Sequence, residues 1–413
     1  MILKLKTMNK INLTSVLLSA LIFLSGCNKD VLVDLDIPEA GNYAQLYMPQ
    51  ATSNPIGMGI SITDQDYEIP YAAHLGGSLT AQTDISVNFK VSPELVAGYN
   101  QKNNTTYELL PEGSYILQSE KAMIPKGAQG TGILKLVIKT KGFLQAFESY
   151  LLPVSISAPS GATLNKELST TYFVITGSYA PGEVPREKVL SMGADAGSFL
   201  IDFNGDFIRK APLTGDLILY KADAATGQFN AAPKTIGFGW NVMDKIISYG
   251  GNRLIARFGS GAGDLNQYFL TQDGAFGAQR GVGQGWGGLS AIVPFKGLLL
   301  GIAANGDMTK FPLNGDGDFD YGNIKQIGSG WAGLAQIFAY QNSLITIENS
   351  GDMWQYPLTD DGVFGTRKKI GTGWDMYIKV ITAGTDLLAL DANGDLWRYK
   401  FNPDGLWPLK KSN

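Results

Sequence analysis

The chain of 413 residues contains one cysteine, Cys27, and one histidine, His74. A single thiol excludes an internal disulfide and a thiolate metal site. His74 precedes the repeated second half of the chain, so a Ser/His/Asp triad is excluded there on inventory alone. Charge is sparse at 17% of residues, with a formal net charge of −4, and no basic stripe suggests nucleic acid as a partner. Tryptophan is absent from the first 239 residues; all seven lie from Trp240 onward. Pronounced helical periodicity is lacking except at the N-terminus, where Lys4, Lys6 and Lys10 precede an apolar run from Val16 to Leu24. That pattern reads as a signal peptide over residues 1–26, too short and too early for a membrane span.

Glycine, by contrast, is abundant, with 51 residues among 44% hydrophobic content, which points to an all-β chain with real cores rather than to disorder. The motif Gly-x-Gly-Trp occurs four times, ending at Trp240, Trp286, Trp331 and Trp374, in steps of 46, 45 and 43 residues. A second beat, Gly-Asp, falls at Gly215-Asp216, Gly263-Asp264, Gly306-Asp307, Gly351-Asp352 and Gly394-Asp395. Each opens a short alternating or aromatic stretch. A third beat, Asp-Gly followed one residue later by an aromatic, reads Asp273-Gly274-Ala275-Phe276, Asp316 to Phe319, Asp361 to Phe364 and Asp404 to Trp407, with Thr226 to Phe229 as a weaker copy.

A period in this range means a solenoid or a propeller. Residues 331–374 supply four strands: Leu334 to Tyr340, Ser343 to Glu348, Asp352 to Leu358 and Thr366 to Ile370. Four strands in about 45 residues make one propeller blade. The count is five, with the last blade lacking a fourth strand at the C-terminus. Arg186 to Leu190 loosely matches Arg367 to Ile370 and is the candidate to complete it, which would close the ring and remove an exposed edge.

The first half differs. Short alternating runs such as Ile85 to Val91, Gly132 to Ile138 and Leu152 to Ile156 read as half-buried strands of an antiparallel sandwich. Pro93 to Asn100 reads as a short helix with Ser92 as its N-cap. The Pro/Gly-rich segment 177–185 is the expected linker. The expected organisation is therefore a signal peptide (1–26), a short tether (27–34), an Ig-like β-sandwich (35–176), the linker, and a five-bladed β-propeller (186–413).

Several segments resemble known families. Leu24-Ser25-Gly26-Cys27 resembles a bacterial lipobox, which implies acylation of Cys27 and anchoring through buried CH₂ groups worth about 0.8 kcal/mol each. Loss of residues 1–26 removes three lysines and no acids, taking the net charge from −4 to −7. Asn28-Lys29-Asp30 resembles the export tag of Bacteroidetes surface lipoproteins, implying an outer-membrane location facing the exterior. Residues 35–176, through Glu94-Leu95-Val96, Leu109-Leu110-Pro111, Ile124-Pro125-Lys126-Gly127 and Tyr150 to Val154, resemble the N-terminal Ig-like module of such lipoproteins. That module implies a spacer role and the company of glycan-uptake proteins in polysaccharide utilisation. Residues 186–413 resemble tachylectin-2-type propellers, a resemblance that implies N-acetylhexosamine binding in equivalent pockets between blades, and no cofactor.

On that resemblance the pocket positions are the Gly-x-Gly-Trp connectors and the Asp-Gly-x-Phe loops. Trp240, Trp286, Trp331 and Trp374 would give a sugar a flat apolar face, with glycines permitting close approach. Asp273, Asp316 and Asp361 would accept from sugar hydroxyls. The competing reading has each Trp packing between blades and each Asp capping its own turn. Asn314 to Asp320 places oxygens at alternate positions like a Ca²⁺ loop but lacks a distal Glu, so no metal is expected. A propeller glycosidase using only carboxylates and a protein–protein scaffold are the alternative functions. Five blades with four motif tryptophans, the fifth connector being Ser191-Met192-Gly193-Ala194, predict at most four competent pockets.

Overall fold

The computed structural model describes residues 43–159, 161–194, 197, 199–223, 225–229, 232–314, 316–405 and 407. The expected signal peptide and tether, with Cys27, and the last residues of the chain lie outside the described residues. No described helix is long and apolar enough to cross a membrane.

The N-terminal half is a β-sandwich. One sheet runs in the order Ile56–Ser61, Thr170–Ser178, Ser149–Ser157, Ile85–Val91 and Lys121–Ile124, with Glu108–Leu109 beside Ser149–Ser157. The facing sheet holds Tyr67–Tyr71, Leu134–Ile138 and Tyr115–Leu117. Tyr71 and Phe89 meet edge-on across the gap with ring centroids 4.9 Å apart. Pairing is mainly antiparallel, but Ile56–Ser61 runs parallel to Thr170–Ser178, and Glu108–Leu109 parallel to Ser149–Ser157.

Two local expectations are corrected. Ser149–Ser157 is buried at seven consecutive positions rather than at alternate ones. It is a central strand with the opposite sheet on one face and the helix Leu95–Asn103 packed against it on the other. That helix starts later and ends later than the sequence suggested, and Ser92 does not cap it. The Ser92 hydroxyl is buried and donates instead to the Ser155 hydroxyl at 2.9 Å, tying the helix entry to the sheet.

The second half is a five-bladed propeller. Five four-stranded antiparallel sheets follow one another, four of them from consecutive strands. Blade 1 is Leu200–Phe203, Asp206–Lys210, Leu217–Tyr220 and Lys234–Gly237; blade 2 is Met243–Ser248, Arg253–Phe258, Leu265–Leu270 and Phe276–Gly283. Blades 3 and 4 start at Leu289–Phe295 and Gln336–Tyr340 and end at Lys325–Gly328 and Lys368–Gly371. Blade 5 takes Tyr377–Ala383, Asp386–Asp391 and Asp395–Lys400 from the C-terminus and its outermost strand, Glu187–Ser191, from the N-terminal side. The first strands of neighbouring blades touch in a closed cycle, blade 5 against blade 1 included, and they line a central channel.

Candidate functional site

The three sequence beats converge on one structural unit at four of the five blade junctions. The first glycine of Gly-x-Gly-Trp lies under the indole: a Cβ on Gly237, Gly283 or Gly328 would stand 2.6–2.7 Å from the Nε1 of Trp240, Trp286 or Trp331. The second takes a left-handed φ of +71° to +81°, which starts a tight turn at the tryptophan in three of the four copies. The Trp backbone N–H then donates to the Gly-Asp glycine of the preceding blade, as in Trp240 to Gly215 O at 2.9 Å, Trp331 to Gly306 O at 3.0 Å and Trp374 to Gly351 O at 3.0 Å.

The indole itself packs on the following blade. Trp240 meets Tyr268 and Phe276 at centroid distances of 4.7 and 5.3 Å; Trp286 meets Phe311 and Phe319 at 4.5 and 4.9 Å. Trp331 meets Tyr356 and Phe364, and Trp374 meets Tyr399 and Trp407. One partner always comes from the third strand and the other from the Asp-Gly loop. Each indole therefore bridges two blades, and Trp240, Trp286 and Trp374 keep only 9%, 7% and 3% of their surface exposed. Trp331 is half-buried.

The aspartates face elsewhere. The Asp273 carboxylate, exposed, pairs with Lys221 of blade 1, while its carbonyl accepts from Lys234 at 3.0 Å. The Asp361 carbonyl accepts from Lys310 at 3.0 Å, and the Asp316 carbonyl from Arg280. The loops thus dock on the preceding blade through backbone oxygens. In the supposed calcium loop, Asn314 Oδ1 accepts from the N–H of Asp316 and of Asp318, both at 2.9 Å, which closes an ordinary Asx turn. Among the described residues no cluster of three or more potential metal ligands occurs.

Two junctions carry open concavities. At the junction of blades 1 and 2, a pocket of about 320 Å³ is walled by Phe238, Gly239, Trp240, Tyr268, Phe276 and Gln279. At the junction of blades 3 and 4, a pocket of about 460 Å³ is walled by Gly330, Trp331, Glu348, Asn349, Tyr356 and Arg367. The tryptophans reach both pockets; Asp273, Asp316 and Asp361 line neither. The polar walls come from a position that sequence reasoning passed over, opposite the third-strand aromatic: Gln279 faces Tyr268 and Arg367 donates to the Tyr356 hydroxyl at 3.1 Å. Phe238, the variable residue of the motif, is 77% exposed and gives the first pocket the open aromatic face that the buried indole does not offer. The signal for all three was variation inside the repeat, which a search for constant residues discards.

The other junctions differ. At blades 2 and 3 the register places Ile324 where Gln279 and Arg367 stand, next to Phe311 rather than a tyrosine. At blades 4 and 5 the interdomain segment fills the space. Pro181 lies directly on Gly373, Gly182 faces the Met376 methyl, and Arg186 donates to the Tyr377 hydroxyl while its guanidinium stacks 4.1 Å over Trp397. Burial and the bond to Tyr377 push the Tyr399 hydroxyl far above the usual phenol range. The sandwich reinforces this contact: Glu148 pairs with Lys368, and Tyr179 shares a core with Trp374 and Trp407. At the seam between blades 5 and 1, Met192 donates its N–H to Gly394 O at 2.8 Å and Phe207 stacks on Tyr220, without any tryptophan.

Residues 213–410 match the Tachylectin family model, and residues 41–163 match a family model described as a "-like, N-terminal domain". The chain thus carries a tachylectin domain behind a separate N-terminal domain. No curated protein sequence matches it. Among solved structures it is similar to a protein of Bacteroides ovatus provisionally assigned to carbohydrate binding, at 14% identity over 86% of this chain and 95% of that one, with a TM-score of 0.35. It is also similar to a Bacteroides ovatus protein of unknown function, at 9% identity over 87% and 91% with a TM-score of 0.29. EndoBT-3987 of Bacteroides thetaiotamicron, solved with a Man5GlcNAc product, is similar at 16% identity over 46% of this chain and 45% of that one, with a TM-score of 0.27.

Proposed function

We propose that this chain is a non-catalytic, multivalent carbohydrate-binding protein whose sugars sit between propeller blades. The carrying observation is that the tachylectin domain holds open concavities at the Trp240 and Trp331 junctions, each combining an aromatic wall, a glycine-lined backbone and at least one polar side chain. A pyranose presents an apolar face and a rim of hydroxyls, and such a wall matches both. Phe238 is the stacking face of the first pocket, with Gln279 bonding to hydroxyls. Arg367, Asn349 and Glu348 are the polar wall of the second, which suits N-acetyl or acidic substituents. Trp240, Trp286 and Trp331 contribute an indole edge and hold the pocket shape. Asp273, Asp316 and Asp361 hold loops rather than ligand in this reading.

The pockets are therefore related but not equivalent. With the Trp374 junction filled by Pro181 and Arg186, no more than three remain for ligand in the intact chain, one fewer than the motif count allows. Weak single sites suit a repeated design, because linking them raises avidity by about 10²–10⁴ without new contacts. Acylation at Cys27 would hold the molecule on the outer membrane, facing out, beside glycan-uptake proteins. A glycan array with the full chain tests the reading: hits on N-acetylhexosamine-containing or related saccharides that weaken with Phe238→Ala and Arg367→Ala support it. Release of new reducing ends from those saccharides would favour the glycosidase reading instead.

A further inference from the structure

The lateral pockets leave the central channel without a role. Its entry chamber, about 580 Å³, opens on the face where the connectors enter the first strands. Five residues stand at one equivalent position, five beyond the motif tryptophan or its seam counterpart: Phe199, Lys245, Ala291, Gln336 and Lys379. All five line the chamber. Gln336 is engaged: its carboxamide donates to Tyr377 O at 3.3 Å and accepts from Val380 N–H at 2.8 Å. Ala291 and Phe199 offer no hydrogen bond. The two lysines are left facing the same space.

Among the described residues Lys379 makes no ion pair. It lies deep in the channel with protein around it, and the charged group acting on it is Lys245, a like charge. Desolvation first, and then this repulsion, hold its ammonium below the usual lysine range. Asp244, the one carboxylate among the chamber's lining residues, pairs with Arg257, whose guanidinium also donates to Leu289 O at 2.6 Å, and its charge is shared with Lys245 and Lys210. Lys210, beside the chamber, is tied to Met243 O at 2.7 Å and sits 4.4 Å over the Phe199 ring, adding a further positive charge to the same wall. Asp202 stands in a second chamber further along the channel, whose lining Lys379 also reaches. A protein of net charge −4 thus places two lysines, against one carboxylate already paired with Arg257, inside a low-dielectric cavity.

We propose that the entry chamber is an oxyanion site, in which the Lys245 and Lys379 ammonium groups together hold one carboxylate or sulfate group. Charge-assisted hydrogen bonds of this kind are the strong ones, and a bound anion converts the mutual repulsion of the two lysines into a shared attraction. The chemistry is common to a free inorganic anion and to an acidic substituent on a saccharide. The chamber shares Trp331 and Leu334 with the lateral pocket at blades 3 and 4, but neither lysine lines a lateral pocket, so the anion site stands or falls apart from the carbohydrate reading.

The full chain is titrated calorimetrically with sodium sulfate, against sodium chloride at matched ionic strength, and separately with glucuronate against glucose. Saturable one-to-one sulfate binding that weakens roughly tenfold or more in both Lys379→Met and Lys245→Met supports the site. Glucuronate binding tighter than sulfate, with glucose silent, supports it and identifies a sugar-borne anion. In the absence of anion, Lys379→Met melts higher than the parent, because a repulsion has gone; this second readout also shows that the variant folds. Absence of saturable heat with either anion, or binding unchanged in both variants, overturns the proposal.

Discussion

At the residue scale, the motif tryptophan shows how a functional-looking residue can be mainly structural. Trp240 fills the gap between two blades, so Trp240→Ala is expected to cost about 3–5 kcal/mol of stability, read as a large fall in the thermal midpoint. Loss of binding in that variant would say little about contact with ligand. Phe238→Ala and Arg367→Ala remove exposed or half-exposed side chains and are expected to change stability by no more than about 0.5 kcal/mol while weakening saccharide binding. Asp202 gives a separate prediction. Burial, with Asp206 nearby, lifts its carboxyl from 3.8 to about 6 against the opposing Gly205 N–H. Between those values the folded state keeps a proton that the unfolded chain has released, so this group's contribution is most favourable below about pH 4 and declines as pH rises to about 6. The whole effect is about 3 kcal/mol at most, and urea melts across that range should flatten in Asp202→Asn.

At the scale of elements, the blade was legible because its constraints repeat. Strand period, tight turns and the glycine under each indole recur five or four times over, and the strand Ile85–Val91 was legible from simple alternation. Ser149–Ser157 was not, because what buries its second face is a helix distant in sequence. The fourth strand of blade 5 could be found only by matching Arg186 to Leu190 with Arg367 to Ile370 across the whole domain. That strand leads to a prediction: a fragment beginning at residue 199 lacks Glu187–Ser191, leaves blade 5 with an open edge, and should aggregate or melt well below a fragment beginning at residue 180. Equal, cooperative melts from both fragments would remove the closing role of the strand. Gly237→Ala, which drives a Cβ into the Trp240 indole, should destabilise the ring by about 1–3 kcal/mol in chemical denaturation.

For the whole molecule, the two domains are joined by more than a tether. The segment from Tyr179 to Arg186 occupies the Trp374 junction, and Glu148 and Tyr179 extend the contact onto blades 4 and 5. No spacing rule could have shown this, since it depends on where a linker lies in space. Its consequence is the number of usable pockets, and that number is the most direct test of the account. The measurement is a calorimetric titration of the intact chain with the strongest array saccharide, repeated on the Phe238→Ala/Arg367→Ala double variant. Two or three sites per chain, with the strongest lost in the double variant, are the predicted result. Four or five equal sites, or an isotherm unchanged by the double substitution, would contradict it.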